Sequence, residues 1–277
     1  LLYTVPYDYD IWQLDLQSGV SRNLTRSKSE LIMSFSWLPP KGDQIVFTAI
    51  PSESELGPWL GYMGVMNADG SNYRILDNVN GLGDLPAPSP DGKFIAYAGG
   101  SKPAIVDLQR SMRREIPLSV FADGAVGAGG PTWSPDGETI AWTIGGRIGS
   151  DHGWSATALN RLEGNSSQIL HPFINQSGGE YMQVNQWSPD GKKLAVFNFG
   201  EKPNRAPLLW LLEPQRNAEH LLGAANTTDL HWSPDSQMLI MGIAENNNSK
   251  WALARAPDWG QKPLNLPADA RIVDWLR

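Results

Sequence analysis

Trp133-Ser134-Pro135-Asp136-Gly137 and Trp187-Ser188-Pro189-Asp190-Gly191 are the same pentapeptide, met twice in one chain. Trp232-Ser233-Pro234-Asp235-Ser236 is a near copy that ends on Ser. Pro88-Ser89-Pro90-Asp91-Gly92 has Pro in the Trp position, and Trp37-Leu38-Pro39-Pro40-Lys41-Gly42 is a degraded version with one extra residue. Near the end, Val273-Asp274-Trp275 reads as a sixth start. The physical content of the motif is a turn: Pro presets φ, Asp is tolerated next, and Gly supplies the positive φ of a bulged hairpin. The Trp before it closes a strand and fills the space between neighbouring sheets, where a large ring has most to bury. Asp91, Asp136, Asp190 and Asp235 are therefore read as structural. Carboxylates on successive repeats do not converge, so they make a poor catalytic pair.

The Trp-equivalent positions 37, 88, 133, 187, 232 and 275 are separated by 51, 45, 54, 45 and 43 residues. That matches a propeller-blade period of about 40–45 residues with occasional loop insertions. After each turn comes an apolar strand, as in Phe94 to Tyr97, Ile140 to Ile144, Leu194 to Phe199 and Leu239 to Ile243. A second strand follows (Tyr62 to Met66, Leu208 to Leu212), then a polar turn and a short outer strand such as Tyr73 to Leu76. Four short strands with turn signals between them make one blade. The expected fold is all-β: a six-bladed β-propeller of four-stranded antiparallel blades in a single domain over 1–277. Its first blade is closed by N- and C-terminal strands, which removes free sheet edges. The expected borders are 1–26 plus 270–277, 32–78, 84–119, 129–171, 182–223 and 227–267.

Composition narrows the function. The chain has 277 residues, 41% hydrophobic and 18% charged, with a formal net charge of −7. Phosphate backbones need clustered Lys and Arg, so nucleic acid is not the expected partner. The absence of cysteine excludes disulfides, thiolate metal sites and cysteine nucleophiles. No stretch approaches the roughly 20 apolar residues of a membrane helix. The opening Leu1-Leu2-Tyr3-Thr4-Val5 already reads as a strand, so the sequence is expected to start inside a longer protein.

Met66-Asn67-Ala68-Asp69-Gly70-Ser71 followed by Leu76, together with the Trp-Ser-Pro-Asp-Gly turns, resembles the TolB-like WD-type propeller repeat. The likeness covers essentially the whole chain. Similar proteins include periplasmic TolB, which binds protein partners at its channel mouth, the gating propellers of prolyl oligopeptidase-like enzymes, and extracytoplasmic sensor domains. The resemblance thus implies an extracytoplasmic binding or scaffolding propeller without enzymatic activity. The departures at Trp37, Pro88 and Ser236 are expected to weaken their repeats without changing the count.

Alternating hairpins put the Ser-Pro-Asp-Gly turns on one end of the blades and the longer loops on the other. Those longer loops are 51–61, 78–85, 120–130, 145–153 and 172–181. Long loops on a rigid scaffold are the usual place for binding. The candidate contacts are Trp59, Asp84 and Asp123 in the first three, Arg147, Asp151 and His152 in the fourth, Glu180 and Tyr181 in the fifth, and Asp229. A partner protein segment or a small ligand is expected there. The alternative is an enzyme or part of one: a metal-dependent lyase or hydrolase, or the gating or sensor propeller of a larger enzyme or receptor. His152 and His171 would be the metal ligands, but about three protein ligands are wanted and no third His joins them. No cofactor is expected. Gly149-Ser150-Asp151-His152-Gly153 lacks the Gly two residues before Ser150 that a hydrolase elbow needs.

Overall fold

The structure, a computed structural model, describes residues 1–3, 9–26, 30–51, 60–80, 86–99, 102–121, 125–148, 152–164, 166–175, 181–200, 206–225, 230–245 and 248–264. These residues form six antiparallel sheets, one of three strands and five of four, each built from consecutive strands. Sheet 1 holds β1 (Leu2–Tyr3), β2 (Trp12–Leu14) and β3 (Ser21–Asn23). Sheet 2 holds β4 (Glu30–Trp37), β5 (Gln44–Pro51), β6 (Leu60–Asn67) and β7 (Arg74–Asn80). Sheet 3 holds β8 (Ala87–Pro88), β9 (Phe94–Gly99), β10 (Lys102–Asp107) and β11 (Met112–Glu115). Sheet 4 holds β12 (Ala125–Trp133), β13 (Thr139–Ile148), β14 (His152–Arg161) and β15 (Ser167–Asn175). Sheet 5 holds β16 (Tyr181–Trp187), β17 (Leu194–Phe199), β18 (Leu208–Glu213) and β19 (Ala218–Ala224). Sheet 6 holds β20 (Leu230–Trp232), β21 (Met238–Glu245), β22 (Asn248–Arg255) and β23 (Gly260–Leu264). The only helical turn among the described residues is a short 3-10 segment, Leu118–Val120. The chain divides into two compact units, Leu1–Pro117 and Leu118–Arg277.

Within each unit the core lies between the faces of consecutive sheets. Ile45 and Phe47 of β5 pack with Ile11 and Leu24 beside sheet 1, whereas Val46 packs with Ile95 and Tyr97 of sheet 3. In the second unit, Leu194 and Val196 of β17 pack with Ala141 and Leu159 of sheet 4, whereas Ala195 and Phe197 pack with Leu239 and Met241 of sheet 6. A middle strand buried on both faces reads as a continuous apolar run, not as an alternating one. Each such Leu, Ile, Val, Phe or Met side chain contributes roughly 1.5–3 kcal/mol by leaving water.

The repeated turn has one hydrogen-bond pattern at all four intact sites. The Ser134 N–H donates to the Thr139 carbonyl at 2.8 Å, and the Gly137 N–H donates to the Ser134 carbonyl at 2.9 Å. The Ser134 hydroxyl donates to Asp136 Oδ1 at 2.5 Å and accepts from the Thr139 N–H at 3.0 Å. Asp136 Oδ1 also accepts from the Glu138 N–H at 3.0 Å. The same Ser–Asp bond recurs at Ser89–Asp91, Ser188–Asp190 and Ser233–Asp235. The aspartate therefore closes the turn actively, which is more than tolerance of the position.

Ser236 corrects the expectation for its repeat. It keeps the left-handed backbone of the glycine it replaces, with φ 59°, and is fully buried. Its hydroxyl accepts from the Asp190 N–H at 2.9 Å, and its carbonyl accepts from the Lys193 ammonium at 3.2 Å. Lys193 sits 5.5 Å from the centre of the Trp259 ring and 3.6 Å from Asp190 Oδ2. The departure from Gly therefore ties sheet 5 to sheet 6. A comparable tie in the first unit joins Asp77 of β7 to Arg113 at 2.8 Å and to the Tyr97 hydroxyl, whose burial pushes its pKa above the usual phenol value.

Several segments expected to be long loops are largely ladder. β12 occupies 125–133, where a long loop was expected over 120–130. The β13–β14 hairpin stays paired as far as Ile148 and His152, and β15 runs on to Asn175. Main-chain pairing needs no side chain, so Ala128 and Gly129 hold register with Ile144 and Thr143 despite their low strand propensity.

Candidate functional site

In the second unit each first strand ends at a Trp (Trp133, Trp187 and Trp232) and enters the Ser-Pro-Asp turn, so its opening residues mark the opposite end of the sheet. The openings of β12 and β16 carry exposed side chains, whereas β20 opens on buried Leu230. Tyr181, the first residue of β16, is 49% exposed, and Val126, the second residue of β12, is 59% exposed. The Tyr181 ring lies flat on Phe199, its partner in the ladder, with centroids 4.6 Å apart and planes 5° apart. Val126 falls at a register shift between Ala125 and Gly127, which turns it out of the ladder. Along β16 the residues alternate: Tyr181, Gln183 and Gln186 are exposed, whereas Met182, Val184 and Trp187 are buried.

The strand is pinned from behind. The Met182 N–H donates to Ser155 Oγ at 2.9 Å, and the Val184 N–H donates to Thr143 Oγ1 at 2.9 Å. Both acceptors belong to sheet 4, so side chains satisfy the edge of β16 and fix it beside β12. The result is an aromatic surface, Tyr181 on Phe199, at the end away from the turns, with exposed Gln183 and Gln186 following along the strand toward the turn. At the turn end, a cleft of about 390 Å³ lies between sheets 4 and 5, lined by Asp136, Glu138, Arg161, Gln168 and Trp187 among others. Its Trp187 is 7% exposed and donates its indole N–H to the Thr132 carbonyl at 3.3 Å, and Asp136 already serves its own turn.

No family model matches the chain, and no curated protein matches it. Solved structures do match. TolB from Acinetobacter baumannii aligns over 95% of this chain with a TM-score of 0.56 and 16% identity. Dipeptidyl peptidase 4 of Porphyromonas gingivalis aligns over 96%, with a TM-score of 0.64 and 11% identity. A puromycin-hydrolyzing peptidase of Mycobacterium tuberculosis aligns over 96%, with a TM-score of 0.63 and 15% identity. The fold is TolB-like. This chain spans 63% of that TolB chain and 45% and 44% of the two peptidases. At these identities the likeness concerns the fold alone, and chemistry has to be argued from the chain's own residues.

Against this TolB-like frame, the expected contacts divide unevenly. Tyr181 is exposed at the end away from the turns, as described. Trp59, Asp84, Asp123, Asp151, Glu180 and Asp229 lie outside the described residues. Arg147 and His152 stand in β13 and β14, where their backbones pair with Gly153 and Ile148, and their side chains are outside the described set. His171 stands inside β15 instead of opening a loop. It occupies a bulge opposite Ala156, with φ 46°, between the pairs Thr157–Leu170 and Ser155–Phe173. Its Nδ1 is 2.5 Å from Glu219 Oε2 of β19, and its ring lies 4.5 Å from that of Trp210. His171 thereby joins sheets 4 and 5, and His152 is four residues away from Ala156 along β14, roughly 13 Å by strand rise.

The remaining histidines serve sheet contacts as well. His220 Nε2 is 3.2 Å from Glu213 Oε1, and His231 lies 6.1 Å from the Trp251 ring. Among the described residues, no three His, Asp or Glu side chains gather as a metal-binding group. Exposed Val126 and half-buried Phe199, on which Tyr181 lies, belong to this surface and were missed by sequence reasoning. Apolar residues in strands read as core, and only their position at the strand ends could have marked them.

Proposed function

We propose that this chain is a six-bladed binding propeller that acts outside the cytoplasm and engages a partner protein segment or small ligand at the end away from the Ser-Pro-Asp turns. In this reading its blades have the borders derived from the sequence, and residues 270–275 supply the missing inner strand of sheet 1. The observation that carries it is the pair of exposed apolar side chains, Tyr181 and Val126, on strands otherwise rigidly held. An aromatic face fixed by stacking loses little side-chain freedom on binding, which suits it to anchor a partner. Trp59, Asp84, Asp123, Arg147, Asp151, His152, Glu180 and Asp229 would surround that end as secondary contacts. No helix among the described residues is long and apolar enough to cross a membrane.

The test is site-specific photo-crosslinking in the native host, with benzoylphenylalanine at position 181, and at exposed Ile75 as the control. A discrete adduct from position 181 and none from position 75 is expected. No adduct from 181, or equal adducts from both, would overturn the reading.

A second reading is favoured by the alignments with peptidases: the propeller forms part of a longer enzyme and gates it. It predicts that the adduct from position 181 is intramolecular, to another part of the same polypeptide.

A further inference from the structure

Counted from the tryptophan that opens each turn, the clefts on the two sides of sheet 5 are built from equivalent positions. Between sheets 5 and 6 these are Lys193, six residues after Trp187, and Ser236, four after Trp232. Between sheets 4 and 5 they are Thr139, six after Trp133, and Gly191, four after Trp187. The left-handed residue just before the outer strand is buried Trp259 in sheet 6, with φ 55°, and exposed Asn217 in sheet 5, with φ 49°.

The cleft between sheets 5 and 6 is closed by its own side chains. The Lys193 ammonium donates to the Ser236 carbonyl at 3.2 Å, lies 3.6 Å from Asp190 Oδ2 and sits against the Trp259 ring. Thr139, Gly191 and Asn217 are too short to do the same, and beside Thr139 and Gly191 lies the cleft of about 390 Å³ between sheets 4 and 5. Its lining keeps the acceptors of the closed cleft, with Asp136 in the place of Asp190 and Gly191 in that of Ser236. The turn occupies Oδ1 of Asp136, and Oδ2 is the oxygen whose counterpart in Asp190 faces Lys193. Leu159 and Trp187, both nearly buried, form an apolar wall.

The charges favour a cation. Asp136 and Glu138 line the cleft against one guanidinium, that of Arg161. Arg161 is 3.8 Å from Glu138 and both side chains are mostly exposed, so this bridge is worth little and yields to a ligand. In the hairpins that form this end, 133–139, 161–168, 187–193 and 213–218, only Asn165 lies outside the described residues, and it is uncharged. An ammonium leaving water needs hydrogen-bonding acceptors, and a carboxylate beside a carbonyl supplies strong ones.

We propose that the cleft between sheets 4 and 5 binds a primary alkylammonium group, held by the Gly191 carbonyl and Asp136 Oδ2, with its alkyl chain on Leu159 and Trp187. The group belongs either to a free amine or to a lysine side chain of a partner. This site is at the turn end, so it is separate from the surface around Tyr181 and stands independently of it.

The experiment titrates the full chain with n-butylammonium and with a Gly-Ser peptide, blocked at both ends, that carries one Lys. The controls are n-butanol and the same peptide with acetyl-lysine. Heteronuclear NMR should show the Asp136 and Gly191 amides shifting with both ammonium probes and with neither control. The ammonium probe that binds at the lower concentration identifies the source, partner lysine or free amine. Raising salt from about 0.05 to 0.5 M should weaken binding, and Asp136→Asn should weaken it about tenfold. Thr139→Lys supplies the side chain that closes the neighbouring cleft. It should abolish binding and keep the thermal midpoint at or above the wild-type value, so that lost binding is not lost fold. Controls that bind as well as the ammonium probes, no binding by any probe, or undiminished binding in Thr139→Lys would each overturn the proposal. A lower midpoint in that variant would do so too, because the two clefts would then not be equivalent.

Discussion

Asp136 and Asp235 show what the repeated turn asks of a single side chain. The Ser134 hydroxyl first, and then the Glu138 N–H, hold Asp136 below the usual carboxylate range; Ser233 and the Gln237 N–H do the same for Asp235. A carboxyl group whose pKa falls on folding stabilises the native state above its unfolded value of about 4 and loses that contribution as pH drops through the folded value. Thermal midpoints measured between about pH 2 and 6 should therefore fall on the acid side, and Asp136→Asn should flatten that fall. Gly92 makes a different demand. Its φ is 69°, and an added Cβ would meet the Pro39 carbonyl oxygen at 1.8 Å, whereas Gly19, with the same φ, has open space around it. Gly92→Ala should cost about 2–4 kcal/mol by chemical denaturation, and Gly19→Ala only the backbone share of about 1–2 kcal/mol. The pentapeptide made these turns legible at once. It could not show that Gly92 packs against a neighbouring sheet, because that contact joins residues far apart in the chain.

Strands and their pairings were read well where apolar runs announced them. Leu194 to Phe199 and Leu208 to Leu212 fall within β17 and β18. The opening of β12 was missed because glycine and alanine carry no strand signal, while the hairpin ladder beside it does not depend on side chains. His171 was misplaced for a related reason: a bulge lets a strand continue through a residue with positive φ. At the contact between sheets 5 and 6, Ser236 explains why a serine stands in a glycine position. Ser236→Ala keeps the strained backbone and strands the Asp190 N–H, so it should cost about 1–3 kcal/mol in unfolding free energy. Ser236→Gly loses the same bond but relieves the backbone, and its cost should be distinctly smaller. Equal costs for the two would mean that the hydroxyl does not tie the sheets.

For the molecule as a whole, the proposed closure turns on sheet 1, whose edge strand β1 has two residues. The Leu1 N-terminus donates to the Leu14 carbonyl at 3.0 Å and the Leu14 N–H returns to the Leu1 carbonyl at 2.8 Å, leaving the far side of β1 for another strand. If residues 270–275 supply that strand, removing residues 265–277 should lower the thermal midpoint and abolish amide-exchange protection in β1 and β2 before the other sheets. Unchanged protection there would rule out closure by the C-terminal segment.

Local chemistry in the chain suffices for the repeated turn and the order of strands, since turn bonds and strand pairing between sequence neighbours depend on residues close in sequence. It also suffices to show that most of the conspicuous residues, the tryptophans and aspartates of the repeats, hold the structure together. Which exposed residues form a surface was decided by tertiary structure alone. Tyr181 lies on Phe199, β16 is pinned by Ser155 and Thr143, and His171 is turned to Glu219 through contacts between residues 18 to 48 positions apart. Apart from the ladder pair of Tyr181 and Phe199, such contacts depend on how sheets stack, and no local pattern in the sequence encodes that.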